Sequence, residues 1–282
     1  MKPILFIQRK NNKKTYHFYA VEVSGRDADK NITAISYNYL NKPELIDLTS
    51  GNKIQYTYDA TGAKLAKKVL AGSAVTGGTY YLGNFVYNQN GVLQYILTSE
   101  GRLVPTGNTY RYEYFMKDHL GNTRATYAAA APGLPQVMEY QHYYPFGMQL
   151  EALGYTSGAD LKNNYLYNGK ELQEDYSLNW YDYGARMYDP VIGRFTTQDA
   201  YAEKYASLTP YQYGANNPIK YIDINGDSLW VTHRTGFLGL GGKETLRYED
   251  GSLYNKDGSA YTGKVKGFLG KAVNALNEAS SG

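Results

Sequence analysis

Hydrophobic and polar residues alternate with period two over much of the chain. Clear stretches are Ile54-Gln55-Tyr56-Thr57-Tyr58 and Tyr110-Arg111-Tyr112-Glu113-Tyr114. Such alternation predicts strands with one buried face. The strands are punctuated by a recurring unit: an aromatic residue, Asp or Asn, two residues, Gly, then an apolar residue. Copies run from Tyr58-Asp59 to Gly62 and Leu65, from Tyr87-Asn88 to Gly91 and Leu93, and from Tyr254-Asn255 to Gly258. A looser copy spans Phe115, Asp118 and Gly121, and a degraded one without glycine spans Tyr37-Asn38, Asn41-Lys42 and Leu45. Asp or Asn caps a turn through its side chain, and Gly supplies the left-handed backbone position. Each unit therefore predicts a β-hairpin, and each tyrosine offers a ring to a sheet face while its hydroxyl stays near water. Hairpins of this kind need stacked neighbours for stability.

Two segments break the pattern. Ala200 to Leu208 predicts a short helix with Asp199 as its N-cap. Val265, Phe268, Leu269, Ala272, Val273 and Leu276 fall at helical spacing, which predicts an amphipathic helix over about 264–278. Between them lie two Asp-Gly hairpin turns, at Asp250-Gly251 and Asp257-Gly258. The expected fold is mainly β: antiparallel hairpins in a curved, repetitive sheet, with short helices near 200–208 and 264–278.

Composition sharpens this picture. The 282 residues include 32 tyrosines and 30 glycines, which suits many short strands joined by tight turns. No cysteine is present, which excludes disulfides, thiolate catalysis, Cys-zinc sites and iron–sulfur clusters. The net charge of +3 gives no reason to expect nucleic-acid binding. No apolar run reaches the ~18 residues of a membrane span, and no signal peptide is visible. His17, His119, His142 and His233 have no metal-ligand spacing, so no metal or cofactor is expected. Gly236 to Gly242 lacks the remainder of a phosphate-loop motif and reads as turn material. Lys10 to Lys14 reads as a solvated basic face.

From Asn163 the composition changes. The segment contains Arg186-Met-Tyr188-Asp189-Pro190, Gly193-Arg194-Phe195, Asp199, Asn216-Asn217-Pro218 and Asp223-Ile-Asn225-Gly226. Arg186 to Gly226 resembles the RHS repeat-associated core of RHS and YD-repeat toxins, a family that includes the C component of Tc toxins. The upstream units resemble its YD repeats. Asp118-His119-Leu120-Gly121-Asn122-Thr123-Arg124 and Tyr143-Tyr144-Pro145-Phe146-Gly147 look like the form found in Bacteroidetes. The resemblance covers about 37–226 and divides the chain into four: an atypical segment (1–35), a YD-repeat sheet (36–162), the core (163–228) and a truncated variable effector segment (229–282).

In this family the repeats wind a hollow shell around the polypeptide that follows the core, often a toxin. The resemblance implies the C-terminal end of such a shell, an incomplete shell with too few repeats to close, presenting a polymorphic-toxin segment in bacterial competition. The implied partners are the chain's own effector segment or the remaining shell repeats, and the implied location is secreted or cell-surface. In self-cleaving members two aspartates and an arginine serve an aspartyl autoprotease. At the matching positions here stand Asp199, Asp223 and Arg186, with cleavage expected after Asp227 or Leu229. The family turn commonly carries proline after its aspartate and leucine after its glycine; this chain has Ile224 and Asp227 there. Either aspartate is equally accounted for by local structure, Asp199 as a helix cap and Asp223 as a turn residue. Arg186 and Arg194 both suit a buried ion pair. A third reading is a tyrosine-rich surface that binds carbohydrate or a cell-surface protein.

Overall fold

The computed structural model describes residues 6–10, 13–17, 27–130, 134–157, 161–205, 208–234, 243–249, 252–263, 270 and 273–274. It falls into two compact units, one of 1–112 with 175–178 and one of 113–174 with 179–282. β1 (Phe6–Lys10) and β2 (Lys13–His17) form a hairpin of their own. The main strands follow: β3 (Ile32–Tyr37), β4 (Pro43–Leu48), β5 (Asn52–Tyr58), β6 (Lys64–Ala71), β7 (Ala74–Leu82), β8 (Phe85–Asn88), β9 (Leu93–Leu97), β10 (Gly101–Thr106), β11 (Thr109–Lys117), β12 (Thr123–Ala130), β13 (Leu134–Tyr140) and β14 (Tyr155–Thr156). These twelve make one antiparallel sheet whose strand order is the order of the chain, with β3 and β14 as its open ends. The mainly-β, antiparallel sheet expected from the alternation, unclosed as the resemblance implies, is what the chain builds.

The recurring unit has one geometry. In the Asp59 turn the Asp59 amide donates to the Ala63 carbonyl (3.0 Å), and the Gly62 amide donates to the Asp59 carbonyl (3.0 Å). Asp59 Oδ1 accepts from the amides of Thr61 (2.8 Å) and Ala63 (2.9 Å). Asn88, Asp118 and Asn38 repeat these bonds on the residues two and four positions on. In the degraded copy Asn41 takes the glycine's place with φ 59°, since asparagine tolerates the left-handed region. The same backbone turn also closes at Tyr144–Met148 and Leu166–Lys170, where no Asp or Asn opens it. Without that side-chain signature, neither is legible as a copy of the repeat.

Two smaller sheets complete the second unit. β15 (Glu171–Gln173), β16 (Trp180–Asp182), β17 (Met187–Asp189) and β18 (Arg194–Phe195) form one. β19 (Tyr221–Asp223), β20 (Leu229–Arg234), β21 (Lys243–Glu249) and β22 (Ser252–Tyr254) form the other. The chain after Gly226 thus shares a sheet and a core with Tyr221: Leu229, Val231, Leu246, Tyr248, Leu253 and Val273 pack there. The helix expected at 200–208 is a 3₁₀ turn over Ala202–Tyr205, and 206–207 lie outside the described residues. Of the helix at 264–278, Gly270, Val273 and Asn274 are described and helical. Gly236 to Gly242 and the Asp250-Gly251 turn also lie outside the described residues, although β21 and β22 on either side of that turn do pair.

The core beneath β15–β18 corrects one expectation. Tyr167, Tyr181, Tyr183, Tyr188 and Tyr213 are buried whole, and their hydroxyls face protein rather than water. Tyr167 donates to the Pro145 carbonyl (2.9 Å), Tyr188 to that of Phe146 (2.8 Å) and Tyr181 to that of Gly147 (3.3 Å). Tyr183 and Tyr213 both donate to Asn168 Oδ1, each at 2.5 Å. A buried hydroxyl must find a partner, and loop carbonyls brought in from 145–147 provide it. Burial pushes all five phenols above the usual tyrosine range. Asn168 in turn donates through Nδ2 to the Leu120 carbonyl (2.9 Å) and Asn122 Oδ1 (3.1 Å), and Asn122 donates to Asp118 (2.9 Å). The Asp118 turn is thereby tied to the rings that surround the candidate site.

Candidate functional site

Arg186, Asp199 and Asp223 stand on three separate pieces of chain. Arg186 immediately precedes β17, Asp199 follows β18 and Asp223 ends β19. The fold brings them together. Arg186 Nη2 lies 2.8 Å from Asp199 Oδ2 and 3.5 Å from Asp223 Oδ2. All three side chains are at most 5% exposed. The rest of the guanidinium is occupied as well. Nε donates to the Gly226 carbonyl, Nη1 donates to the Pro210 carbonyl (3.1 Å), and the plane lies 3.8 Å from the centre of the Phe195 ring.

Each aspartate keeps its local role while joining the cluster. Asp199 Oδ1 accepts the Tyr201 amide (2.8 Å), as a cap does. Asp223 Oδ1 accepts the amides of Asn225 (3.2 Å), Gly226 (2.6 Å) and Asp227 (3.2 Å). The local and the chemical readings of these residues are therefore compatible, because each carboxylate spends one oxygen on its turn and the other on Arg186. Gly226 is required where it stands. Its φ is +80°, and an added Cβ would sit 3.0 Å from Tyr183 Cβ and 3.1 Å from the Arg186 amide nitrogen. Close seating lets the Asn225 carbonyl accept the Ala185 amide (2.9 Å) and pins the 223–227 turn to the loop that carries Arg186. Arg194 is not part of the cluster; its Nη1 is buried without a hydrogen-bond partner among the described residues.

Asp227 ends the bend that follows Asp223, and Leu229 opens β20 just after it. Asp227 accepts the Ser228 hydroxyl (2.6 Å), and Leu229 sits opposite Asp223 in the β19–β20 ladder, 2% exposed. The peptide bonds that follow the turn thus begin beside Asp223. No group of three or more His, Asp or Glu among the described residues is arranged to hold a metal ion. No helix among them is long and apolar enough to cross a membrane.

Burial dominates the electrostatics. Loss of water pushes the Asp223 carboxyl up to about 7, against the opposing pull of Arg186 and the Gly226 amide. Asp199 is raised for the same first reason and is held down by Arg186 and the Tyr201 amide. The exposed Asp59, in the same kind of turn, moves the other way, because its hydrogen bonds to Thr61 and Ala63 outweigh burial. Asp223 binds its proton more tightly folded than unfolded. Its stabilising contribution is complete below about pH 4 and is lost as pH rises to about 7. Relative to Asp223→Asn, the parent chain should therefore lose unfolding free energy between those limits. Parallel slopes for the two proteins in urea melts across that range would refute this.

No family model matches the chain. It is 35% identical over 116 residues to salivary gland surface protein 1 of Aedes aegypti, which covers 41% of this chain and 3% of that protein. It is 26% identical over 238 residues to the tRNA3(Ser)-specific nuclease WapA of Bacillus spizizenii, covering 77% of this chain and 9% of that one. In structure it is similar to TcdB2–TccC3 (TM-score 0.56, 20% identity, 70% of this chain and 10% of that one). The Photorhabdus luminescens Tc holotoxin pore is similar as well (TM-score 0.53, 20% identity, 68% and 10%). The chain thus spans a small fraction of the length of each of these proteins. At these identities the structural likeness is one of fold alone: this chain is built like a portion of the TcdB2–TccC3 assembly.

Proposed function

We propose that the chain is the C-terminal part of an RHS-type shell that holds and presents the segment following Gly226, and that Arg186, Asp199 and Asp223 sever it from that segment. The observation that carries this reading is the convergence of two buried carboxylates on one guanidinium nitrogen. Two such groups do not both ionise easily in a dry site, so one keeps a proton. Asp199, at 2.8 Å from Arg186, is the ionised member. Asp223 is the protonated one; its 3.5 Å separation is long for a charge-assisted bond and suits an Oδ2 that carries a proton. Asp199 takes a proton from an attacking water while Asp223 gives one to the carbonyl oxygen of the peptide bond that follows Asp227 or Leu229. Collapse of the resulting diol releases the new amine and restores the pair. The role in bacterial competition and the export from the cell belong to this reading.

Intact mass spectrometry under denaturing conditions tests it. The expected result is two fragments, cut after Asp227 or Leu229, from the parent chain, and one mass from Asp199→Asn and Asp223→Asn. β20 pairs with both β19 and β21, so the fragments should stay together in native buffer. One intact mass from the parent chain across pH 5 to 8 would leave all three residues as a structural staple.

A second reading, a surface for carbohydrate or a cell-surface protein, draws on the second unit. Tyr114 stacks on Tyr127 at 5.3 Å and Tyr140 on Tyr155 at 5.4 Å, with Tyr114, Tyr140 and Tyr155 exposed.

A further inference from the structure

Between the pinned 223–227 turn and β20, one peptide bond has a hydroxyl placed to attack it. On the turn side, Asp223 Oδ1 accepts the amides of Gly226 (2.6 Å) and Asp227 (3.2 Å), and Arg186 Nε donates to the Gly226 carbonyl. On the strand side, Leu229 is paired on both flanks, with Asp223 of β19 and Tyr248 of β21, and is 2% exposed. Asp227 and Ser228 are half-buried and lie outside both ladders. The Ser228 hydroxyl donates to Asp227 Oδ1 at 2.6 Å. A serine Oγ reaches the carbonyl carbon of the residue before it through a small ring. Nucleophile, base and bond are therefore covalent neighbours, anchored on either side.

We propose that Ser228 is the nucleophile of the autoproteolytic site, that the Asp227 carboxylate is its base, and that the bond cut is the one between these two residues. This rests on the autoproteolytic reading above and refines its first step. Asp227 takes the proton of Ser228 Oγ as Oγ bonds to the Asp227 carbonyl carbon. The carbon–nitrogen bond to Ser228 breaks, and the proton passes from the Asp227 side chain to the departing nitrogen. The result is an ester between the Asp227 carbonyl and Ser228 Oγ, with a free amine on Ser228. The water activated by Asp199 then attacks the ester carbonyl, and Oγ leaves with the proton that Asp199 took from the water. The products are a carboxyl group on Asp227 and an intact Ser228 at the new N-terminus. The bond after Leu229 lacks this arrangement. The residue that follows it is Trp230, which has no hydroxyl, and both residues are held in β20 between β19 and β21. Attack there would need the three strands to part.

The test uses the full chain with Ser228→Ala, Ser228→Cys and Asp227→Ala, each checked for folding by near-UV circular dichroism and followed by intact mass. The parent should be cut after Asp227. Ser228→Ala should stay intact, and Asp227→Ala should be cut about 100-fold more slowly. Ser228→Cys should still be cut, since a thiol replaces the hydroxyl as nucleophile. Neutral hydroxylamine reads the ester itself. In Asp199→Asn, where the ester is formed but not hydrolysed, it should release a fragment ending in a hydroxamate at Asp227. Adding Ser228→Ala to that variant should abolish the fragment. Hydroxylamine also attacks Asn-Gly bonds, but a cut at Asn225-Gly226 has a different mass and is common to both proteins. A folded Ser228→Ala cut after Asp227 at the parent rate overturns the proposal and leaves the autoproteolytic reading standing, as does a parent cut after Leu229. A parent that stays intact in buffer defeats hydrolysis by the aspartate pair. Hydroxylamine on the parent then decides the acyl transfer: a hydroxamate that depends on Ser228 supports it, and the absence of one overturns it.

Discussion

Arg186→Met should lower the unfolding free energy by about 3–5 kcal/mol at pH 7.5. The methionine side chain is about as long as arginine's aliphatic stem, so the apolar packing of that stem is largely kept, while the guanidinium's contact with the Phe195 ring is lost. What is lost is the single group that meets two buried carboxylates and two backbone carbonyls, those of Gly226 and Pro210. Removing one member of a buried charge cluster costs more than the cluster contributes, because the remaining charges stay dry and unmatched. Asp199 and Asp223 can escape by taking up protons, so the loss should be smaller at pH 5 than at pH 8. Urea denaturation followed by the fluorescence of the buried Trp180 reads both effects. Arg186→Lys should recover only part of the loss, since one ammonium cannot reach acceptors that a planar guanidinium contacts in four directions. A loss below about 1 kcal/mol would mean that the cluster is hydrated and that the low exposure of its members is misleading.

The second large effect is expected at Asn168. Its side chain accepts two tyrosine hydroxyls and donates to Leu120 and Asn122, so one truncation strands several buried groups at once. Asn168→Ala should cost about 2–4 kcal/mol, at the upper end of what unsatisfied buried partners cost because the network is shared. Part of that cost is backbone: Asn168 has φ 50°, where alanine is strained by about 1–2 kcal/mol. Asn168→Gly separates the two contributions, since glycine accepts the backbone and lacks the amide. It should still lose about 1–2 kcal/mol and much of the near-UV tyrosine signal. If glycine restored the parent's stability, the hydroxyls of Tyr183 and Tyr213 would have found other acceptors.

Much of the fold is legible in the residues themselves. An Asp or Asn followed three positions later by glycine determines a turn because side-chain oxygen, backbone amides and left-handed φ are all local. Period-two alternation determines the strands between such turns, and short turns leave consecutive strands no partner but each other. This is why β3 to β13 pair in chain order, while β14 returns to β13 across the longer 141–154 connection. Where the turn forms without its side-chain signature, as at Tyr144 and Leu166, only the folded chain reveals it.

The candidate site divides the same way. The resemblance to a known family singles out Arg186, Asp199 and Asp223, and local rules assign one oxygen of each aspartate to a cap or turn, as the hydrogen bonds show. Their meeting on one nitrogen depends on β17, β18 and β19, which lie in two different sheets. The sign of the electrostatics is likewise not local. Asp59 and Asp223 each accept the amides two and four residues on, yet one carboxyl is held below its ordinary value and the other is raised to about 7. The difference is solvent. Asp59 keeps its water, whereas Asp223 loses it to Tyr183, Arg186 and the strands packed around them, and how much water a carboxylate keeps is a property of the whole fold.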